Sequence, residues 1–186
     1  MSHCRRFLSR AVGAVLIALG TLCVGTLIHE TGHALAAVAC GARVVEVNVV
    51  GLTLYPALRF GHQPGFLGYV RFERALPSPQ SQYVSIAGGL STLVVGLLAQ
   101  AVLWLVPPRR MWSRLIGFAA CFLTLDIAWH TMVMLLGLRS ASYAETHTAL
   151  LALGALPWLA AGMTLGVPLV SLALTPITWR RLIRRL

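Results

Sequence analysis

Charge is what this 186-residue chain has least of: charged residues make up 11% of it, five are acidic, and all fifteen basic residues are arginine. An ordinary soluble domain is about 25% charged. A water-facing surface on every side is therefore excluded, and the 58% hydrophobic content, with a mean hydropathy of +0.79, calls for lipid as solvent. Lysine is missing altogether. Cysteine is sparse as well, since Cys4, Cys23, Cys40 and Cys121 are scattered without a CxxC pair. That spacing excludes a disulfide framework and a cysteine zinc site. No internal repeat or low-complexity tract is present. In a soluble protein a net charge of +10 would suggest nucleic acid. Here the arginines collect just outside the apolar runs, where they act as topology determinants, so no nucleic-acid partner is expected.

What is present in quantity is apolar sequence. Four runs, at about 11 to 40, 85 to 106, 115 to 137 and 147 to 175, approach or exceed the roughly 20 residues a helix needs to cross the hydrocarbon layer. The expected fold is an all-α polytopic membrane protein, a single domain over 1–186 with about four transmembrane helices. Threading the runs alternately across a bilayer puts Arg5, Arg6, Arg10, Arg109, Arg110, Arg114, Arg180, Arg181, Arg184 and Arg185 on one side with no acidic residue. That side is expected to be cytoplasmic, with both termini on it. The size and the all-arginine basic content fit a bacterial inner (plasma) membrane. The basic start followed by Ala11 to Gly25 has the form of a signal peptide, but the apolar pattern continues to Cys40 without a small-residue cleavage site, which predicts a retained helix.

Texture changes at Cys40-Gly41, where glycine is suited to closing a helix. Apolar residues then fall on alternate positions in Val45 to Val49, Leu52 to Tyr55 and Tyr69 to Glu73, around the turn formers Gly61, Pro64, Gly65 and Gly68. This predicts a short β-ribbon over about 43–75, at the membrane surface between the first and second helices, with the edge of Val45 to Tyr55 open to an added strand. The second run begins with the small residues Ala87-Gly88-Gly89 and stops at Pro107-Pro108, while the fourth contains Pro157, Gly162, Gly166 and Pro168 and is expected to be kinked or broken.

Within the first run lies His29-Glu30-Thr31-Gly32-His33, an HExxH pattern. On a helix two histidines four apart leave one face and can grip one metal ion, with the glutamate placed as general base toward its water. A zinc protease site takes a third protein ligand from elsewhere. Glu46 and Glu73 belong to the ribbon, which leaves Asp126 and Glu145, with His130 and His147 as nitrogen alternatives. His29 and Asp126 each lie about eleven residues from the same-side ends of their helices, roughly 16 Å deep. A carboxylate at mid-span costs about 2.5 to 3.5 kcal/mol on insertion scales and normally marks a functional partner. Asp126 is thus the expected third ligand, Glu145 the alternative from a loop folding back, and a structural hydrogen bond the competing reading of Asp126. His130, one turn from Asp126, is expected either to hold that carboxylate or to donate to a developing oxyanion, unless it is an ordinary core histidine. His3 and His62 read as surface residues.

With these residues on the page, the chain resembles the site-2 protease family of intramembrane zinc metalloproteases. The resemblance covers most of the chain, including the helix exit Ala34-Leu35-Ala36-Ala37, the ribbon, and Ala87-Gly88-Gly89-Leu90-Ser91-Thr92, which is similar to the family's Ala-Gly-Pro segment without its Pro or Asn. Leu125-Asp126-Ile127 matches the first two residues of the family's Leu-Asp-Gly motif, whose aspartate is a zinc ligand; by segment order Leu135-Leu136-Gly137 leads instead toward Glu145-Thr146-His147. The resemblance implies a Zn²⁺-dependent endopeptidase that cuts a membrane-embedded protein substrate, with Glu30 as catalytic base and His29 and His33 as metal ligands; it leaves the third ligand open, for which depth favours Asp126 over Glu145. The alternative is a non-enzymatic transporter or scaffold using the same His and Asp residues for ion binding or helix packing.

Overall fold

The computed structural model describes residues 2–61, 67–106, 110–140 and 144–183, with side chains omitted at 2–11, 111–112 and 182–183. His62, Pro64, Gly65, Pro107, Pro108, Arg109, Arg184 and Arg185, and the side chains of His3, Cys4, Arg5, Arg6 and Arg10, lie outside the described residues. Helix α1 covers Ser2–Ala39, α2 Gln80–Leu105, α3 Met111–Cys121, α4 Leu125–Leu135, α5 Glu145–Ala152, α6 Pro157–Ala161 and α7 Val167–Ile183. A single 3₁₀ turn, Phe122–Thr124, joins α3 to α4. Among the described residues, four stretches are long and apolar enough to cross a bilayer: Val12–Ala39, Gln80–Leu105, Ser113–Leu135 and Pro157–Arg181. This is the architecture of a multi-pass membrane protein.

Helix α1 ends where its sequence says it should. Gly41 sits at φ +77, and the amides of Gly41 and Ala42 close onto the carbonyls of Val38 and Ala37, both at 2.9 Å. The fourth span differs from expectation. It begins at Pro157 rather than near 147, because Gly154, at φ +87, terminates α5 and Pro157, lacking an amide hydrogen, is suited to the first turn of α6. Five residues farther on, Gly162–Gly166 widen into a π-turn before α7. His147, on α5, is thereby separated from the fourth span.

Strands β1 (Val44–Val49), β2 (Leu52–Tyr55), β3 (Arg59–Phe60) and β4 (Gly68–Phe72) form one antiparallel sheet in the order β3-β2-β1-β4. β1 is therefore an interior strand, paired with both β2 and β4, while β3 covers β2 only at Leu52 and Thr53. β4 is an outer strand and lies against α1. Beneath the sheet, Ala37, Ala42 and Val84 form a small apolar cluster with Val44 and Phe72 around it.

Helix α2 is the hub, touching α1, α3, α4, α5 and α7. Its buried residues include Val84, Gly88, Thr92, Gly96 and Gln100, one every four positions, so a single stripe runs its length. At the Gly96 level a methyl would meet Thr124, and at Gly32 on α1 it would meet the Ala87 carbonyl and Ser91. These small residues set how closely the backbones approach. Toward the α2 C-terminus, Gln100 and Ser171 exchange two hydrogen bonds, Ser171 Oγ to Oε1 at 2.6 Å and Nε2 to the Ser171 carbonyl at 3.3 Å.

Candidate metal centre

The two motif histidines sit one turn apart on α1 with ring centroids 4.8 Å apart. Each is fixed through its Nδ1. His33 Nδ1 donates to the Val84 carbonyl on α2 at 2.7 Å, and His29 Nδ1 donates to Asp126 Oδ2 on α4, also at 2.7 Å. A carbonyl can only accept, so His33 carries its Nδ1 proton and keeps the Nε2 lone pair for an acceptor-seeking partner. The same division on His29 leaves its Nε2 equally available. Sequence position alone puts these imidazoles on one face; the hydrogen bonds at their backs determine which nitrogen points inward.

Glu145, the first residue of α5, brings Oε2 to 3.1 Å from His33 Nε2. One ligand atom from each of His29, His33 and Glu145 lies within 4.8 Å of the others. Two ligands each ~2.0 Å from a tetrahedral zinc ion stand about 3.3 Å apart, close to the His33–Glu145 separation. Two neutral imidazoles and a carboxylate are a donor set that suits Zn²⁺. The residues present fit a divalent ion of that kind.

Asp126 is brought to the site as well, but to a different edge of the ring. Its Oδ2 accepts from His29 Nδ1, on the side of the imidazole away from Nε2. The same oxygen stands 2.9 Å from Thr92 Oγ1, whose hydroxyl is shared with the Gly89 carbonyl at 2.9 Å. His130 Nε2 lies 3.7 Å from Asp126 Oδ1, and the His130 and His29 rings are 5.6 Å apart. Asp126 thus stands between two histidines and a hydroxyl on α2. His147 is buried on α5 and donates through Nδ1 to Thr164 Oγ1 at 3.1 Å, since the Thr164 hydroxyl is spent on the Ala160 carbonyl at 2.9 Å. That pairing turns it toward the π-turn.

Glu30 is 6% exposed and shares a cavity of about 1090 Å³ with His29, His33, Asp126, His130 and Glu145. The sheet forms part of the wall through Gly68, Tyr69, Val70 and Phe72, with Leu67 just before β4. Gly68 presses so closely on Glu30 that a methyl there would stand 2.6 Å from Oε1. More of the wall comes from Thr21, Leu22 and Gly25 of α1 and from Phe122, Leu123 and Trp129.

Three further contributors are the Val84 carbonyl, which the sequence did not single out, and Gly88 and the Thr92 hydroxyl, which lie in the Ala87 to Thr92 segment that carried the resemblance but had no role at the site assigned to them. One signal existed, because 84, 88 and 92 are spaced by four and fall on one face of α2. No family model, curated protein or solved structure matches the chain.

Proposed function

We propose that the chain is an intramembrane zinc endopeptidase of the site-2 protease kind, in which His29, His33 and Glu145 hold Zn²⁺ and Asp126 orients His29. The observation that carries the reading is the set of three donor atoms meeting beside a buried Glu30 in a cavity walled by a sheet and by lipid-crossing helices. A hydrogen-bonded carboxylate behind a metal-binding imidazole is a common supporting arrangement, which is the role the Asp126 position suits.

When bound, Zn²⁺ supplies Lewis acidity, polarising the scissile carbonyl and easing deprotonation of the attacking water. Glu30 takes that proton and delivers it to the leaving amine. Asp126 holds the His29 ring in the tautomer that directs Nε2 inward, and the Val84 carbonyl does the same for His33. A peptide must be extended to be attacked, and β4 is an outer strand whose residues line the cavity beside Glu30, so a substrate segment adds to β4 rather than to β1, which is paired on both sides. The substrate is a membrane-embedded protein whose helix unwinds locally to reach that edge. Arg110, Arg114, Arg180 and Arg181 flank the span ends on the side away from the connection that carries the sheet, an arginine bias that supports a cytoplasmic position for that side in a bacterial inner membrane and the opposite face for the sheet.

The test is Glu30→Gln in purified protein reconstituted with fluorogenic single-span peptides. The variant is expected to keep about one zinc per chain and to lose about 10²- to 10⁴-fold in cleavage rate. Equal cleavage by the variant removes Glu30 from the chemistry. Bound zinc with no hydrolysis by the unmodified chain returns the reading to an ion transporter or scaffold.

A further inference from the structure

We infer that Gly88 is the residue that keeps the metal position open, so that the presence or absence of a single methyl group at this point on α2 decides whether the His29–His33 pair takes an ion. The inference rests on the zinc-site reading above and extends it to a residue outside the HExxH pattern.

A Cβ built on Gly88 would stand 2.7 Å from His29 Nε2, 2.5 Å from His33 Cε1 and closer still to His33 Nε2. Real Cβ atoms essentially never come within 3.0 Å of such neighbours. That point lies against the Nε2–Cε1 side of the His33 ring and beside His29 Nε2, so a methyl there crowds the adjoining space that an ion ~2.0 Å from both nitrogens requires. The other glycines of this bundle meet different neighbours. A methyl on Gly32 would meet Ala87 and Ser91, on Gly89 Thr146 and Ile127, and on Gly96 Thr124. Among the described glycines, Gly88 alone faces the imidazole nitrogens.

Ring movement offers little relief. His33 is tied at Nδ1 to the Val84 carbonyl, four residues before Gly88 on α2. His29 is tied to Asp126, which Thr92 contacts four residues after Gly88. Rotating either imidazole away from a methyl at 88 breaks a 2.7 Å hydrogen bond at its back. The backbone gives no competing reason for glycine, because residue 88 lies in the interior of α2, where alanine is the better helix former by about 1 kcal/mol in general scales.

The experiment uses the full chain in detergent micelles, titrated with Zn²⁺ and separately with Co²⁺, whose absorption reports coordination. The unmodified chain is expected to bind one ion tightly and to gain thermal stability from it. Gly88→Ala is expected to bind at least 100-fold more weakly and to lose both the zinc-dependent rise in Tm and the cobalt spectrum. Gly96→Ala, a methyl on the same helix facing Thr124, is expected to keep them. Equal ion binding by Gly88→Ala overturns the inference while leaving the zinc site intact. So does loss of binding by Gly96→Ala to the same extent, since helix displacement then suffices. No ion bound by the unmodified chain overturns the zinc reading, and the inference falls with it. Where Gly88→Ala alone does not fold, the same methyl is introduced into His29→Ala/His33→Ala. There it is expected to leave Tm unchanged, and a large loss in that background would show that its clash is not with the imidazoles.

Discussion

Asp126 Oδ2 accepts a hydrogen bond from His29 Nδ1 at 2.7 Å, on the edge of the ring away from Nε2, while Glu145 meets His33 at its Nε2. Two carboxylates therefore serve one histidine pair from opposite sides, and their substitutions should separate. Asp126→Asn is expected to weaken zinc binding about 10- to 100-fold, the range found for groups that support a ligand from behind. Glu145→Gln should weaken it more, because it removes a donor to the ion itself. Competition with a calibrated chelator measures both. The reverse ranking would make Asp126 the ligand.

Glu46 lies in β1, outside the spans, and is nearly enclosed. Burial disfavours its charge, but Tyr69 Oη at 3.0 Å, Arg59 at 3.3 Å and Arg71 at 3.2 Å outweigh that and hold the carboxyl below its ordinary 4.5. A carboxyl depressed on folding contributes stability in full above its unfolded value, and that contribution disappears as pH falls through the folded one. Glu46→Gln is therefore expected to lower Tm near neutrality, with the gap to the unmodified chain closing as pH drops below about 4.5. Amide exchange of β1 followed against pH reads this locally. A gap that widens in acid would contradict it.

Farther along α2, Gln100 and Ser171 join α2 to α7 with two hydrogen bonds. Such bonds between membrane helices average about 0.6 kcal/mol. Ser171→Ala is expected to cost about that much and Gln100→Leu roughly twice as much, measured by reversible unfolding in mixed micelles. Since neither touches the cavity, zinc affinity should stay within about twofold. A loss of zinc with either would mean that the α2–α7 seam sets the site.

The sequence made legible those features that depend on local pattern. Apolar length located the spans, alternation in Val45 to Val49 and Tyr69 to Glu73 located strands, and Gly41 marked the end of α1. The HExxH spacing put His29 and His33 on one face. What it left open depends on tertiary approach. Asp126 and Glu145 are both acids that a later segment can bring inward, and they differ in which edge of which imidazole they reach. Sheet order was equally hidden, because alternation identifies strands without saying which of them lies outermost. The break at Gly154 and Pro157 is written in residue types, yet the apolar run across it masks the boundary between α5 and the fourth span.

Val84, Gly88 and Thr92 meet the centre at successive turns of one rigid rod. Sliding that rod by a single residue, 1.5 Å, would misplace a carbonyl, a gap and a hydroxyl together. The centre therefore loses its His33 anchor, the gap at 88 and the Thr92 support of Asp126 together when α2 shifts against α1. Its competence is decided by the register between two helices, as a key is cut to a depth at several pins at once.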